Sequence, residues 1–212
     1  MTGISIVIPI YNEEKNIKIL VEEIMNIDDI NKINDIILVD DNSLDNSKFV
    51  ISQLEKKNRK IKSFFHNKNL GQSMAIYNGA KQTKSEVIVT LDADLQNNPK
   101  DINKLIELYF VDKKTKLVGG IRLHRKDSFT KKISSKFANA LRKFILNDDC
   151  DDTGCSLKIF DRNIFLSLPF FNGIHRFLPA LFKYSGSNNK FIIVDHRSRK
   201  YGISNYGTLD RA

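Results

Sequence analysis

Hydrophobic positions along this chain follow two periods in alternation. Ile4–Ile10 is almost unbroken apolar sequence, the pattern of a strand covered on both faces. Glu13–Ile27 instead spaces Ile17, Leu20, Val21 and Ile24 along one face of a helix. The alternation continues with strands at Ile36–Val39, Ile61–Phe65, Val87–Leu91 and Leu117–Ile121. Helices are expected at Ser43–Lys57, with Ser43 as its N-cap, at Leu70–Thr83 and at Asp101–Phe110. This order predicts an α/β fold, a mostly parallel sheet with helices on both faces. The second half is less regular. Ser128–Leu146 has the pattern of a basic amphipathic helix, Ser156–Phe160 of a strand, Ile174–Tyr184 of a helix despite Pro179, and Phe191–Val194 of a last strand. No repeat and no Gly/Ser-rich or Pro-rich linker interrupts residues 1–212, which are therefore taken as one unit.

With 41% hydrophobic residues, the chain of 212 has enough apolar sequence for a core. It has no apolar run long enough to span a membrane, and its start lacks the pattern of a secretory signal. Two cysteines, Cys150 and Cys155, are too few for a disulfide framework or a zinc site. They are expected to be packed, reduced thiols in a cytoplasmic protein. Charge is unevenly placed. Residues 1–110 carry 14 Lys and Arg against 16 Asp and Glu, residues 111–212 carry 20 against 9, and the net charge is +9. Such asymmetry points to an anionic partner: nucleic acid, a membrane surface or a phosphorylated substrate. The bland alternative is a set of solvated lysines.

The densest chemistry lies where Val87–Leu91 runs into Asp92-Ala93-Asp94-Leu95-Gln96. If the strand pleat continues, Asp92 and Asp94 face the same way, and a divalent cation would neutralise them. A solvated Asp-rich turn is the alternative. No glycine-rich phosphate loop follows any strand, which argues against an NAD-binding domain and a P-loop enzyme. Acidic residues stand at successive strand ends instead: Glu13, then Asp40 and Asp41, then Asp92 and Asp94. In a parallel sheet these ends share one edge, where ligands bind. Individually, Glu13 also suits a helix's first turn, and Asp40 or Ser43 a cap. Gly71, Ala75 and Gly79 recur every four residues. Tight packing against the sheet explains the last two, whereas Gly71 would admit a ligand at the helix start. His175 and His196 lack neighbours at ligand spacing and are expected to be structural. Arg197 and Arg199 suit bidentate phosphate binding, with a basic surface loop as the alternative.

Val7-Ile8-Pro9-Ile10-Tyr11-Asn12-Glu13, Val39-Asp40-Asp41-Asn42-Ser43-Leu44-Asp45, Asn69-Leu70-Gly71 and Leu91-Asp92-Ala93-Asp94-Leu95-Gln96, in this order, resemble the family-2 glycosyltransferases. The similar branch is that of the polyprenyl-phosphate sugar transferases, dolichyl-phosphate mannose synthase-like. The resemblance covers nearly the whole chain and implies a GT-A fold, with residues 1–110 as the nucleotide-sugar-binding half and 111–212 as the acceptor-binding half. It also implies that Pro9, Tyr11, Glu13, Asp40, Asp41, Gly71, Gln72, Asp92, Ala93 and Asp94 bind the nucleotide sugar, and that Asp92, Asp94 and Gln96 hold Mg²⁺ or Mn²⁺. Arg122 would face donor phosphate, and Asp152 lies in a segment matching the acceptor pocket; with Asp94 these are the expected catalytic residues. The segment His196-Arg197-Ser198-Arg199-Lys200-Tyr201-Gly202-Ile203-Ser204-Asn205 matches the family's basic segment, with Arg197, Arg199 and Ser204 on the acceptor phosphate. Asn205 departs from the usual lysine.

The activity so implied is inverting transfer of a hexose from GDP-mannose or a UDP-sugar to a polyprenyl phosphate. It would occur at the inner face of the cytoplasmic membrane, with the protein peripheral and ending near the membrane surface. An alternative keeps the family and takes a soluble or cell-envelope glycan hydroxyl as acceptor, with Asp151 or Asp152 as base. A remote alternative is a nucleic-acid-binding protein using the basic half. It lacks any recognition motif or aromatic interleaving, so no nucleic-acid partner is expected.

Overall fold

A computed structural model describes residues 3–122 and 149–201. Its elements are β1 (Ile4–Ile10), α1 (Glu14–Met25), a short 3₁₀ turn (Asp28–Lys32), β2 (Ile33–Asp40), α2 (Ser47–Lys57), β3 (Ile61–Phe65), α3 (Gln72–Lys81), β4 (Val87–Thr90), α4 (Asp101–Phe110), β5 (Thr115–Arg122), β6 (Lys158–Asp161), α5 (Arg162–Ser167), α6 (Ile174–Tyr184) and β7 (Asn188–Val194). Both halves of the chain build one seven-stranded sheet, in the order β3-β2-β1-β4-β6-β5-β7. All neighbours pair in parallel except β6, which runs antiparallel to both β4 and β5. From β1 the chain moves outward through β2 and β3 on one side, and to β4 on the other. The switch point therefore lies between the carboxyl ends of β1 and β4, where a sheet of this kind opens a crevice.

The near-continuous apolar strands make sense because the pleat divides them between two cores. Ile4, Ile6, Ile8 and Ile10 pack with the buried faces of α1 and α4, including Ile17, Leu20, Ile102 and Leu105. Val7, Ile37, Val39 and Ile88 pack on the other side with α3, α5 and α6 through Ala75, Ile76, Phe165, Leu178 and Phe182. The small residues of α3 serve that second contact. A β-carbon at Gly79 would lie 2.4 Å from Val7 Cγ1 and 2.9 Å from Val39 Cγ2, so the helix sits as close as glycine allows. Cys150 and Cys155 are buried and not disulfide-linked.

Several boundaries differ from the sequence pattern. Strand β2 begins at Ile33, and α2 begins at Ser47 with Asn46 as N-cap, so Ser43 caps no helix. Strand β4 stops at Thr90. The expected strand at Ser156–Phe160 is shifted to Lys158–Asp161, and the short helix α5 follows it directly. The Ser128–Leu146 segment lies outside the described residues. Among the described residues, no helix is long and apolar enough to cross a membrane.

Candidate active site

Three loops leave the carboxyl ends of β1, β2 and β4, and each bends through a residue with positive φ: Asn12 (56°), Asn42 (61°) and Leu95 (62°). Asparagine tolerates this conformation, whereas a leucine there costs about 1–2 kcal/mol. Leu95 is buried in the first core, which offsets that cost and anchors the turn that carries Asp94 and Gln96. Asp92 and Asp94 therefore lie on a turn beyond the strand. The turn sets their proximity, and the strand pleat does not. Within it, Gln96 N donates to Asp94 Oδ1 at 3.1 Å.

The first two loops are stitched to each other. Asn12 N donates to Ser43 Oγ (2.9 Å), Leu44 N to Asn12 Oδ1 (2.7 Å), Glu13 N to Ser47 Oγ (3.0 Å) and Glu14 N to Asp45 Oδ2 (3.1 Å). Ser43 and Asp45 thus hold the β1 loop. Asp41 organises the start of α3. Its carboxylate accepts from Leu70 N (2.8 Å) and Gly71 N (2.7 Å) and pairs with His66 Nδ1 (2.7 Å). Gly71 has φ +84°, which suits glycine, and it is the N-cap of α3. Asp40 is fully buried. Its Oδ2 accepts from Ser43 N, but Oδ1 has no hydrogen-bond partner among the described residues. Such an orphaned buried acceptor is costly unless a ligand satisfies it.

On the other side of β1, Asp92 Oδ1 accepts from Gln72 Nε2 at 2.7 Å, and its backbone N–H donates to Ser156 Oγ at 3.2 Å. Burial, then the neighbouring Asp94 carboxylate, push Asp92 up to about 6; Ser156, Lys158 and Arg122 oppose this. Burial likewise raises Glu13, against the pull of Asn16 and Arg199. The Asp92–Asp94 pair, with Gln96 two residues on, can offer an all-oxygen donor set whose negative charge is opposed by Lys158 and Arg122. It fits a hard divalent cation. No cluster of three or more His, Cys, Asp or Glu suited to a metal occurs among the described residues, so remaining ligands would come from Gln96, water or a bound diphosphate.

The second half supplies the cations. Arg122, at the end of β5, grips Asp152 through Nε–Oδ2 (2.6 Å) and Nη2–Oδ1 (2.8 Å), a bidentate and largely buried pair. Its Nη1 lies 3.4 Å from His196 Nε2. Beyond β7 the chain crosses back to the Asp94 turn. Arg197 N donates to Gln96 O (2.8 Å), and Asn97 and His196 form a β-bridge. Arg197 pairs with Glu23 of α1 at 2.8 Å, and Arg199 pairs with Glu13. The two arginines expected on acceptor phosphate are thus paired with acidic residues of the first half, Glu23 on α1 and Glu13 on the loop after β1. Ser204 and Asn205 lie outside the described residues. Pro9 and Gln72 line a recess beside Asp92, together with Ser156, Lys158 and His175.

Ser156 and Lys158 fall in the segment Asp152-Thr153-Gly154-Cys155-Ser156-Leu157-Lys158, which the resemblance matches to the border of the acceptor pocket, but neither is expected there as a site residue. Ser156 Oγ also donates to Asn97 Oδ1 (2.8 Å), and Thr90 Oγ1 donates to Ser156 O (2.8 Å), so one serine ties both ends of the Asp92 turn. Lys158 is buried on the reversed strand, donating to the carbonyls of Thr153 and Cys155, and burial lowers its pKa. A lysine opening an otherwise apolar strand, Lys158-Ile159-Phe160, is the one signal that would have flagged it.

A family model described as "Glycosyl transferase family 2" matches residues 5–169. Among curated relatives, the undecaprenyl-phosphate 4-deoxy-4-formamido-L-arabinose transferase of Pectobacterium carotovorum subsp. carotovorum (strain PC1) is 34% identical over 209 residues, 98% of this chain and 63% of the relative. The transferase of the same name from Yersinia enterocolitica serotype O:8 is 33% identical over 208 residues, 97% of this chain and 63% of the relative. The chain thus spans less than two thirds of the length of these relatives. Among solved structures, glucosyl-3-phosphoglycerate synthase from Mycobacterium tuberculosis with Mn²⁺ and UDP-glucose superposes with a TM-score of 0.73 at 19% identity, covering 99% of this chain and 76% of that one. The same enzyme with Mg²⁺ and UDP gives 0.72 at 18% identity, covering 94% and 73%. The shared architecture is the GT-A fold, a mostly parallel sheet flanked by helices.

Proposed function

The chain belongs to glycosyl transferase family 2, and from that premise we propose that it transfers a sugar from a nucleotide-diphosphate sugar to a polyprenyl phosphate at a membrane surface. The observation that carries this reading is the Asp92–Asp94 pair beside the β1/β4 switch point, in a chain alignable over 98% of its length with undecaprenyl-phosphate sugar transferases. Residues 1–110 would bind the nucleotide. Asp40 Oδ1, without a hydrogen-bond partner among the described residues, is suited to a base N–H, and Glu13 follows β1 on the loop tied to Ser47. Asp92, Asp94 and Gln96 would hold Mg²⁺ or Mn²⁺, which when bound supplies positive charge to the leaving nucleoside diphosphate.

The nucleophile would be a phosphate oxygen of the acceptor, attacking the anomeric carbon with inversion as the diphosphate departs. Because that phosphate is already ionised near neutral pH, no general base is needed. This agrees with the state of Asp152. Both its oxygens face the Arg122 guanidinium, which stabilises the ionised carboxylate and occupies the atoms a base would use. A hydroxyl acceptor that used Asp152 as its base is accordingly disfavoured. Arg197 and Arg199 would exchange Glu23 and Glu13 for phosphate when substrates arrive. The excess positive charge of residues 111–212 suits an anionic lipid surface, and a peripheral position at the inner membrane face follows from this reading.

The test is a thermal-shift panel of UDP, GDP, CDP and dTDP, each with Mn²⁺ or EDTA, followed by transfer assays with and without undecaprenyl phosphate. One nucleotide should stabilise the protein only when Mn²⁺ is present, because a ligand of the native state raises stability with occupancy. Transfer that proceeds equally well without the lipid phosphate would overturn the acceptor assignment.

A further inference from the structure

The helices on the two faces of the sheet differ in charge. Those that pack with the first core, α1, α2 and α4, mix lysines with Glu14, Glu22, Glu23, Glu55, Asp101 and Glu107. Helices α3, α5 and α6, on the opposite face, contain no Asp or Glu, and their Lys and Arg are Lys81, Arg162, Arg176 and Lys183. Of the carboxylates that border this second face, Asp161 caps α5 and Asp149 pairs with Lys183 at 2.9 Å. We propose that the carboxyl-edge rim of this face docks on an anionic bilayer surface, with Phe171 and Phe177 entering the headgroup boundary and Arg176 at the lipid phosphates. The inference rests on the lipid-acceptor reading above and assigns the surface through which the chain meets the membrane.

The loop before α6 presents the rings. Phe171 and Phe177 are 39% and 36% exposed, yet their centroids lie 5.7 Å apart. Two rings in contact form a patch, unlike apolar residues scattered singly over a surface. Arg176, next to Phe177 in the first turn of α6, is exposed as well. The loop is tied down on its inner side. Gly173 N donates to Ser73 Oγ at 2.8 Å, and the Phe170 ring packs on Tyr77 at 5.1 Å. Leu70 adds exposed apolar surface next to Gly71, whose β-carbon would lie 3.7 Å from Asn172 Oδ1. The start of α3 and the start of α6 therefore share one rim.

A bilayer surface satisfies both features of that rim together. Its acyl boundary takes the apolar rings, and its phosphates take the guanidinium. A soluble phosphate would meet the cation and leave the rings in water. The placement also serves the site. The turn of α3 held by this loop carries Gln72, whose amide donates to Asp92 at 2.7 Å. Docking through the rim sets the candidate crevice at the surface from which a lipid phosphate would enter.

The chain contains no tryptophan, so a single introduced one reports its own surroundings. With vesicles of phosphatidylcholine and phosphatidylglycerol, Phe171→Trp and Phe177→Trp should shift their emission to the blue and be quenched by brominated lipid. With phosphatidylcholine alone they should not. Phe49→Trp, on α2 of the other face and 65% exposed, should report water throughout. In co-sedimentation with the anionic vesicles, the double variant Phe171→Ser/Phe177→Ser should bind about 10-fold more weakly or worse, and Arg176→Gln about five-fold more weakly. Both should keep the wild-type melting temperature and the stabilisation by nucleotide with Mn²⁺. Transfer to undecaprenyl phosphate should fall in vesicles and stay near the wild-type rate in detergent micelles. The inference is overturned if neither tryptophan shifts on anionic vesicles, or if the double variant binds them as the wild type does. A double variant that loses self-association and keeps vesicle binding assigns the patch to a second copy and overturns it as well. A chain that docks through these rings but transfers no sugar to lipid phosphate, in vesicles or micelles, overturns the acceptor reading instead, a result distinct from the others.

Discussion

The two edges of the sheet treat their carboxylates in opposite ways. At the amino edge, Asp35 on β2 is met by Lys62 Nζ at 2.7 Å, Thr83 Oγ1 at 3.2 Å and Ser5 Oγ at 3.4 Å, and Ser5 is itself tied to Ser85 at 2.8 Å. At the carboxyl edge, Asp92 and Asp94 repel each other within one turn, and Asp40 keeps a buried oxygen with no partner among the described residues. The first arrangement satisfies itself and needs nothing further. The second remains costly until something from outside completes it, and the fold tolerates that cost beside the switch point.

The largest expected effect comes from removing a carboxylate on the costly side. Asp94→Ala should lower transfer by about 10²–10³-fold, the usual loss for one stabiliser of developing charge, and abolish stabilisation by Mn²⁺ with nucleotide. Its melting temperature without metal should change little, since the lost repulsion with Asp92 offsets the lost acceptor for Gln96 N. A fully active Asp94→Ala protein would break the contrast between the edges.

Next in size is the pH dependence of Asp92. Its native pKa of about 6 lies above the ordinary 3.8, so the folded protein holds this proton more tightly than the unfolded chain does. The contribution to stability is complete below about pH 4 and is lost as pH rises through about 6. Asp92→Asn mimics the protonated form and keeps an acceptor for Gln72. Without metal it should melt higher than the wild type at pH 7–8, and the difference should close below about pH 4. A constant difference across that range would mean that Asp92 is not the titrating group.

The smallest effect belongs to the satisfied edge. Asp35→Asn should cost about 1 kcal/mol or less, as expected for a partly exposed ion pair, with nucleotide affinity unchanged. Denaturant melts and nucleotide titration on the same samples would check both halves of that statement.

Much of the architecture is legible along the chain. Ile4–Ile10, Ile61–Phe65, Asp101–Phe110 and Ile174–Tyr184 occupy the residues their periodicity indicates. The misreadings have specific causes. Ser43 resembles a helix cap because a serine before a helical pattern usually is one. Here its hydroxyl serves Asn12 N, thirty-one positions away, and α2 starts a turn later. Asp92 and Asp94 are brought together by the Leu95 bend, and an αL leucine is not announced by its neighbours. Arg197 and Arg199 are recognisable as cations, but their pairing with Glu23 and Glu13 depends on a chain crossing that local sequence does not encode.

The sequence by itself determined the alternation of strand and helix, the acidic residues at the ends of three of the first four strands, and the family to which the chain belongs. These are local properties: the apolar period and the residue types at strand ends survive without knowledge of any partner. The tertiary structure decided the reversal of β6, the burial of Lys158 behind Asp92, the Arg122–Asp152 clasp, and the meeting of Ser73 with His175 beside the Asp92 recess. Each depends on residues tens of positions apart meeting through the packing of two cores. Strand direction and side-chain pairing are settled by that packing and by the satisfaction of buried polar groups, which no short stretch of sequence records.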